Sequence, residues 1–321
     1  MKLFVRVLIM AAVLAVATAA SGAGSTGGSN AEQAASGKHR GNPGNHRGGN
    51  KHFRALIFSK TAAFRHTECI PQGTTRIAQM SVKYGFDVDA TENAALFTDA
   101  NLANYDVVIF LCTTGDVLNA TQQAAFERYI QAGGGYAGIH SASDTEYDWA
   151  WYGGLVGAYF RDHPGVAGVN AQFQVATMNV EDRRSDATRH LGRTWTREEE
   201  WYNFRTNPRD TVHVLLSVDE STYDPRGYSV PGGSPPMGDH PVSWCQPYDG
   251  GRSFYTALGH RGIYWDEPDL LRHVLGGIRM AAGVTRFDCG DEDDCHWQPR
   301  GSRNPGSARQ RSGADRVPGG L

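Results

Sequence analysis

The residues best suited to chemistry in this 321-residue chain are histidines that stand where strands should end. The stretch GGGYAGIHSASD, Gly133 to Asp144, leads a glycine cluster into a short apolar strand that stops at His140. His66 follows the first strand in SKTAAFRHTE, and His260 follows a later one in YTALGHRGIYW. Loops at the carboxyl ends of parallel strands converge on one cleft in open α/β sheets, so histidines in such loops are expected to meet. Imidazole moves protons near neutral pH, and two or three imidazoles can also hold a divalent metal. No HExxH or HxH occurs, so ligand spacing gives no indication of a metal. The competing reading of His140 by itself is a buried histidine that satisfies one local hydrogen bond.

Other polar and aromatic residues could join them. Glu198, Glu199 and Glu200 precede Trp201 and Tyr202, and Glu200 is the acid chosen for the cleft because it adjoins that aromatic pair. A solvated acidic run is the alternative. Asp144 and Asp239 could bind hydroxyl groups or serve turns. His163 in RDHPG and His240 in GDHPVSW sit in proline-containing loops that could close over the same place. Gly115 and Asp116, after a buried strand, could offer backbone amides to a developing oxyanion. Tyr147, Trp149, Trp151 and Tyr152 crowd together after Asp144, as rings that stack on sugar faces or as a buried lid.

The elements that must position these residues alternate. FRALIF (Phe53 to Phe58) reads as a strand, followed by a helix from about Pro71 to Tyr84 that Gly85 stops. Phe86 to Ala90 is a short strand, and DVVIFLC (Asp106 to Cys112) is apolar enough to be buried on both faces of a parallel sheet. Asn119 and Gln122 form a capping-box pattern ahead of the next helix, and the strand ending at His140 follows. Strand-like runs recur at Gln172 to Val175, Val212 to Val218, Val242 to Tyr248 and Ser253 to Leu258. Asp266 and Pro268 open a helix that runs to Gly283. This order predicts an α/β fold with a doubly wound, mostly parallel sheet and right-handed crossovers, in one domain over 51–284.

The ends differ. Residues 1–19 carry Lys2 and Arg6, an apolar run, and Ala17-Thr18-Ala19, the pattern of a secretory signal peptide and too short to span a bilayer. Residues 20–50 are a Gly/Ser/Asn-rich linker containing His39 and His46, and 285–321 read as a disordered tail. A secreted or periplasmic location follows, without stable membrane insertion. Export permits disulfides among the five cysteines, with Cys289 and Cys295 the pair nearest in sequence; Cys69, Cys112 and Cys245 lie in or beside apolar elements as small hydrophobes. A net charge of −3 gives no footprint for nucleic acid.

Several long blocks in order resemble the ThuA-like (trehalose utilisation) family, related to the class I glutamine amidotransferase-like fold. They are FSKTAAFRH, YDVVIFLCTTGDVL, GGGYAGIHSASDTEYDWAWYGGLVGAYF, EEWYNFR, DHPVSWC and GRSFYTALGHRGIYW, between Phe53 and Gly283. The resemblance implies a flavodoxin-like sheet and a small-molecule carbohydrate partner, a trehalose-type disaccharide or its keto derivative. In the related amidotransferases the turn after the central strand holds a nucleophilic cysteine. Here His140 stands at that position and His260 resembles the later histidine, so cysteine-dependent glutamine hydrolysis is not expected. The resulting catalytic set is His140, His260 and Glu200, and the substrate-binding set is Arg65, His66, Asp144, Trp149, Tyr202, Asp239 and His240. Acid/base hydrolysis or isomerisation of a sugar is the expected activity, with non-catalytic carbohydrate binding as the alternative.

Overall fold

The computed structural model describes residues 52–289. The leader, the linker with His39 and His46, and the tail beyond 289 lie outside the described residues. The centre of the sheet is β3 (Val107–Leu111), whose residues are all buried. It pairs in parallel with β1 (Arg54–Phe58) on one side and β4 (Gly135–Ile139) on the other, and β2 (Asp87–Thr91) extends the sheet beyond β1. An all-apolar strand such as VVIFL suits a position covered on both faces, because each fully buried aliphatic or aromatic side chain contributes about 1.5–3 kcal/mol. Helix α1 (Cys69–Tyr84) returns from β1 to β2 and stops at Gly85, whose φ of 72° is the left-handed conformation that favours glycine. A short α2 (Asp99–Leu102) precedes β3, and α3 (Ala120–Gln131) links β3 to β4. The capping box read from Asn119 and Gln122 is formed.

The chain then makes α4 (Ala150–Val156) and β5 (Phe160–Asp162), and next β6 (Gln174–Val180), β7 (Thr194–Glu199), β8 (Asn203–Phe204) and β9 (His213–Val218). It ends with β10 (Pro241–Tyr248), β11 (Gly251–Thr256) and α5 (Pro268–Ala281). The main sheet has the order β2-β1-β3-β4-β11-β10-β9-β6-β7, while β5 pairs with β8 alone. From β2 through β11 neighbouring strands are parallel; from β11 through β7 every pair is antiparallel. Alternating direction from β11 leaves only β10 and β6 reversed, so β7 ends at the same edge as β1, β4 and β11. The fold is therefore the expected α/β type, with an antiparallel wing that the sequence pattern does not reveal. The chain leaving β7 carries Glu199 to Tyr202 back across that edge to reach β8.

Three local expectations are corrected. Helix α1 starts at Cys69, two residues before Pro71, and Cys69 is bonded to Cys112. Cys289 is bonded to Cys245, not to Cys295, because the chain after α5 returns to β10 and brings the two Cα atoms to 5.5 Å. Asp266 does not cap α5: it closes a 3₁₀ turn and pairs with Arg76, leaving at the cap Glu267, whose side chain makes no capping hydrogen bond and pairs with Arg197 instead. No helix among the described residues is long and apolar enough to cross a membrane.

The strand that ends at His140 begins with a glycine for a steric reason. A Cβ at Gly135 would lie 2.1 Å from the carbonyl oxygen of Ala281 at the end of α5, a backbone atom that no rotamer change can remove. Gly135→Ala is therefore expected to cost about 2 kcal/mol or more in urea unfolding, as overpacking does. A change below about 0.5 kcal/mol, the range of neutral surface substitutions, would show that α5 can move away from β4.

Candidate functional site

His66, His140, His260 and Glu200 meet at the carboxyl edge of the sheet. One ligand-capable atom from each lies within 4.8 Å of every other. His140 and His260 follow the parallel neighbours β4 and β11, whose register pairs Ile139 with Thr256. His66 follows β1, and Glu200 follows β7. The imidazole rings stand edge-on to one another, with centroids 4.8 Å apart for His66–His140 and His66–His260 and 4.9 Å for His140–His260.

Hydrogen bonds set the orientation of each group. His140 Nδ1 is 2.7 Å from the Ala257 carbonyl oxygen. That oxygen can only accept, so Nδ1 carries the proton and a neutral His140 presents a bare Nε2 to the centre. Nε2 lies 2.9 Å from His260 Nδ1 and 3.3 Å from Glu200 Oε2. His260 Nδ1 donates to Glu200 Oε2 at 2.7 Å. His66 engages Ser141 Oγ through Nδ1 at 3.2 Å, which leaves its Nε2 for the cluster. On its other oxygen Glu200 meets Gln172 Nε2 and, at 3.2 Å, His163 Nε2.

The electrostatics follow from burial. Glu200 and His140 are almost completely enclosed, whereas the His260 and His163 side chains keep 15% and 19% exposure and form the way in. Burial pushes the His66 imidazole down to about 2, and positive charge on His140 and His260 would push the same way. Burial by itself would raise the Glu200 carboxyl, but the close ring nitrogens of His140 and His260 and the positive charge that His140 and His163 can carry hold it well below its ordinary value. The site therefore joins a neutral imidazole to an ionised carboxylate. Burial raises the carboxyl of nearby Asp144, against the pull of the Tyr147 hydroxyl bonded to it at 2.6 Å.

The acidic run is not a solvated face. Glu198 pairs with Arg261 at 3.0 Å and accepts from the Tyr264 hydroxyl. Glu199 accepts from the backbone N–H of Gly259 at 2.8 Å and of His260 at 3.3 Å, which fixes the His260 loop. Of the residues grouped as substrate-binding, His66 is within the cluster, Tyr202 lies on His140 with ring centroids 4.3 Å apart, and Asp144 is close enough for His140 to act on its charge. The other four are engaged elsewhere. Arg65 makes a two-point pair with Glu92. Asp239 holds Arg209 and Asn207. Trp149 stacks on Trp151 and donates to Glu127 of α3. His240 is buried with Nδ1 against Glu220 at 2.9 Å and Nε2 donating to the Tyr202 carbonyl at 2.8 Å, so it braces Tyr202 and has no ring nitrogen left for a ligand. The Gly115 amide is likewise taken, by the Asp144 carbonyl at 2.8 Å, and Tyr152 is packed into the core against Tyr136.

Three rings that sequence reasoning missed surround the cluster, each against a different histidine. Phe64 is 65% exposed and lies edge-on to His66; Tyr228, 49% exposed, lies against His163; half-buried Phe173 lies against His260 at 5.0 Å. Phe64, two residues before His66, had a local signal. Phe173 and Tyr228 sit in segments between strands and had none.

The profile of the ThuA family, described as trehalose utilisation, matches residues 54–281. No curated protein sequence matches. Among solved structures, a protein described as ThuA-like from Bacteroides uniformis is 24% identical with a TM-score of 0.59, over 74% of this chain and 94% of its own. Another described as ThuA-like, from Parabacteroides merdae, is 17% identical with a TM-score of 0.54, over 73% of this chain and 91% of its own. At these identities the likeness concerns the fold.

His140 has φ of 53°, left-handed although it is not glycine, and the Tyr255 hydroxyl holds its carbonyl at 2.8 Å. Such a conformation costs a residue with a Cβ roughly 1–2 kcal/mol. Both His140→Ala and His140→Gly lose the imidazole, but only the glycine variant is relieved of that strain. Urea unfolding should find His140→Gly the more stable of the two by about 1 kcal/mol; the reverse order would mean that the conformation is not strained.

Proposed function

The chain belongs to the ThuA family, described as trehalose utilisation, and from that premise we propose that it acts on a sugar of the trehalose type or its keto derivative, by hydrolysis or isomerisation at the His66/His140/His260/Glu200 cluster. The observation that carries this reading is the convergence of three imidazoles and a buried carboxylate at the carboxyl edge of the sheet. A carbonyl acidifies the C–H beside it, so a base of imidazole strength suffices to take that proton and return it to the neighbouring carbon. In this reading the proton is exchanged at the open side of the cluster, where His260 and His163 are exposed enough to meet a substrate. His140, with Nδ1 held by Ala257, orients His260.

Phe64, Phe173 and Tyr228 suit a sugar, since C–H-bearing faces of pyranose rings stack on aromatic rings while the hydroxyls seek polar partners. The aromatic segment from Tyr147 to Tyr152 offers no support for simple binding, because its rings are engaged within the protein. The two disulfides among the described residues support export, since such bonds persist in oxidising compartments. These bonds also tie up every described cysteine, which supports the expectation that thiol-based amidotransfer is not the activity.

The test is turnover of trehalose-type glycosides and their keto derivatives. His140→Ala and Glu200→Gln are each expected to lower kcat by about a hundredfold or more, whereas Phe64→Ala should mainly raise KM. Unchanged turnover in His140→Ala, or binding of these sugars by the wild-type protein with no product formed, would contradict the assignment.

A further inference from the structure

We propose that His66, His140, His260 and Glu200 together bind one divalent transition-metal ion, of which zinc is the representative. The inference rests on reading this cluster as the reaction centre and adds the cofactor that the centre would use. Three neutral-capable imidazoles and one carboxylate are the donor types that such ions take. Tetrahedral bonds of about 2.0–2.1 Å place neighbouring donor atoms roughly 3.3 Å apart. The separations here are 2.7 Å between His260 Nδ1 and Glu200 Oε2, 2.9 Å between His260 Nδ1 and His140 Nε2, and 3.3 Å between His140 Nε2 and Glu200 Oε2. Shifts of up to about 0.6 Å would open those three to an ion, and the ligand atom of His66 lies within 4.8 Å of each of them.

The surroundings are those that a metal ligand needs. A ligating imidazole usually donates its other ring N–H to a carbonyl, carboxylate or water, which fixes the tautomer and turns the lone pair inward. His140 does this with the Ala257 carbonyl, and His66 has Ser141 Oγ at its second nitrogen. Glu200 keeps its second oxygen on Gln172 and His163, and Glu199 clamps the backbone at Gly259 and His260. Each ligand comes from a separate segment anchored at the end of a strand, which explains why no short spacing motif announces the set. The partial exposure of His260 and His163 leaves an approach for a further ligand from solvent or substrate. A bound ion there would act as a Lewis acid on a sugar carbonyl or hydroxyl oxygen.

The test is binding of the metal alone. The full chain, stripped with a chelator and dialysed, is titrated with Zn²⁺ by calorimetry, and its retained metal is counted by elemental analysis. One ion per chain is expected, with a raised thermal midpoint. Folded His140→Ala and Glu200→Gln should bind at least a hundredfold more weakly, while a His39→Ala/His46→Ala double variant keeps the full stoichiometry. If the ligand variants do not fold, Co²⁺ added to the wild-type chain provides the second readout: intense visible d–d bands of a four- or five-coordinate site, displaced by Zn²⁺, support the proposal. Failure to retain any ion, octahedral-type weak bands only, or undiminished affinity in folded Glu200→Gln overturns it. The two readings separate cleanly. Zinc bound at these residues without turnover of any sugar contradicts the proposed activity alone; turnover that survives complete removal of metal contradicts the metal alone.

Discussion

Enclosing the Glu200 carboxylate among three imidazoles is the constraint on which the rest of this structure depends. Removing an ionised carboxylate from water costs several kcal/mol even after relaxation, and a well-packed apolar cluster would fill the same space with no such cost. The carboxylate is retained because His260 and His140 meet one oxygen and Gln172 and His163 the other. His140 and His163 are themselves held at their other ring nitrogen by backbone carbonyls, and the backbone of His260 is held by Glu199. Such a network contributes little to stability; its value is in fixed positions and fixed protonation.

The sheet supplies that fixity. His140 and the Ala257 carbonyl that orients it directly follow adjacent parallel strands whose last paired residues are Ile139 and Thr256, so their separation is set by the ladder between β4 and β11. Gly135 lets α5 press against the start of the same strand, and the Tyr255 hydroxyl holds the strained His140 backbone at its end. The antiparallel wing has a separate task. By turning β7 to run with the parallel strands, it delivers Glu199 and Glu200 to the edge where the histidines already are.

Much of this was legible in the sequence, for identifiable reasons. The parallel core announced itself through VVIFL and the glycine-flanked strand before His140, and the rule that such strands present their carboxyl ends to one cleft was enough to group His66, His140 and His260. In the sequence Glu200 stands out by its aromatic neighbours, whereas what places it is β7, an edge strand whose TWTREE has too few apolar residues to signal itself. Residue type failed where direction mattered. The density of rings around Trp149 does not show that α4 turns them toward α3 and Asp249, and a histidine beside a proline looks alike whether, as His163, it reaches Glu200 or, as His240, it braces Tyr202 from behind. The disulfides join residues 43 and 44 positions apart, a pairing that only the folded path determines.

The central claim is that one cluster, ringed by Phe64, Phe173 and Tyr228, is where a sugar meets this protein. A crystal structure with trehalose or a keto-disaccharide bound tests it most directly. A sugar ring stacked on at least one of those three side chains is expected, with an oxygen within hydrogen-bond distance of His260 or His163. A sugar bound against Trp149 and Trp151, or anywhere that leaves the histidine cluster untouched, would contradict it.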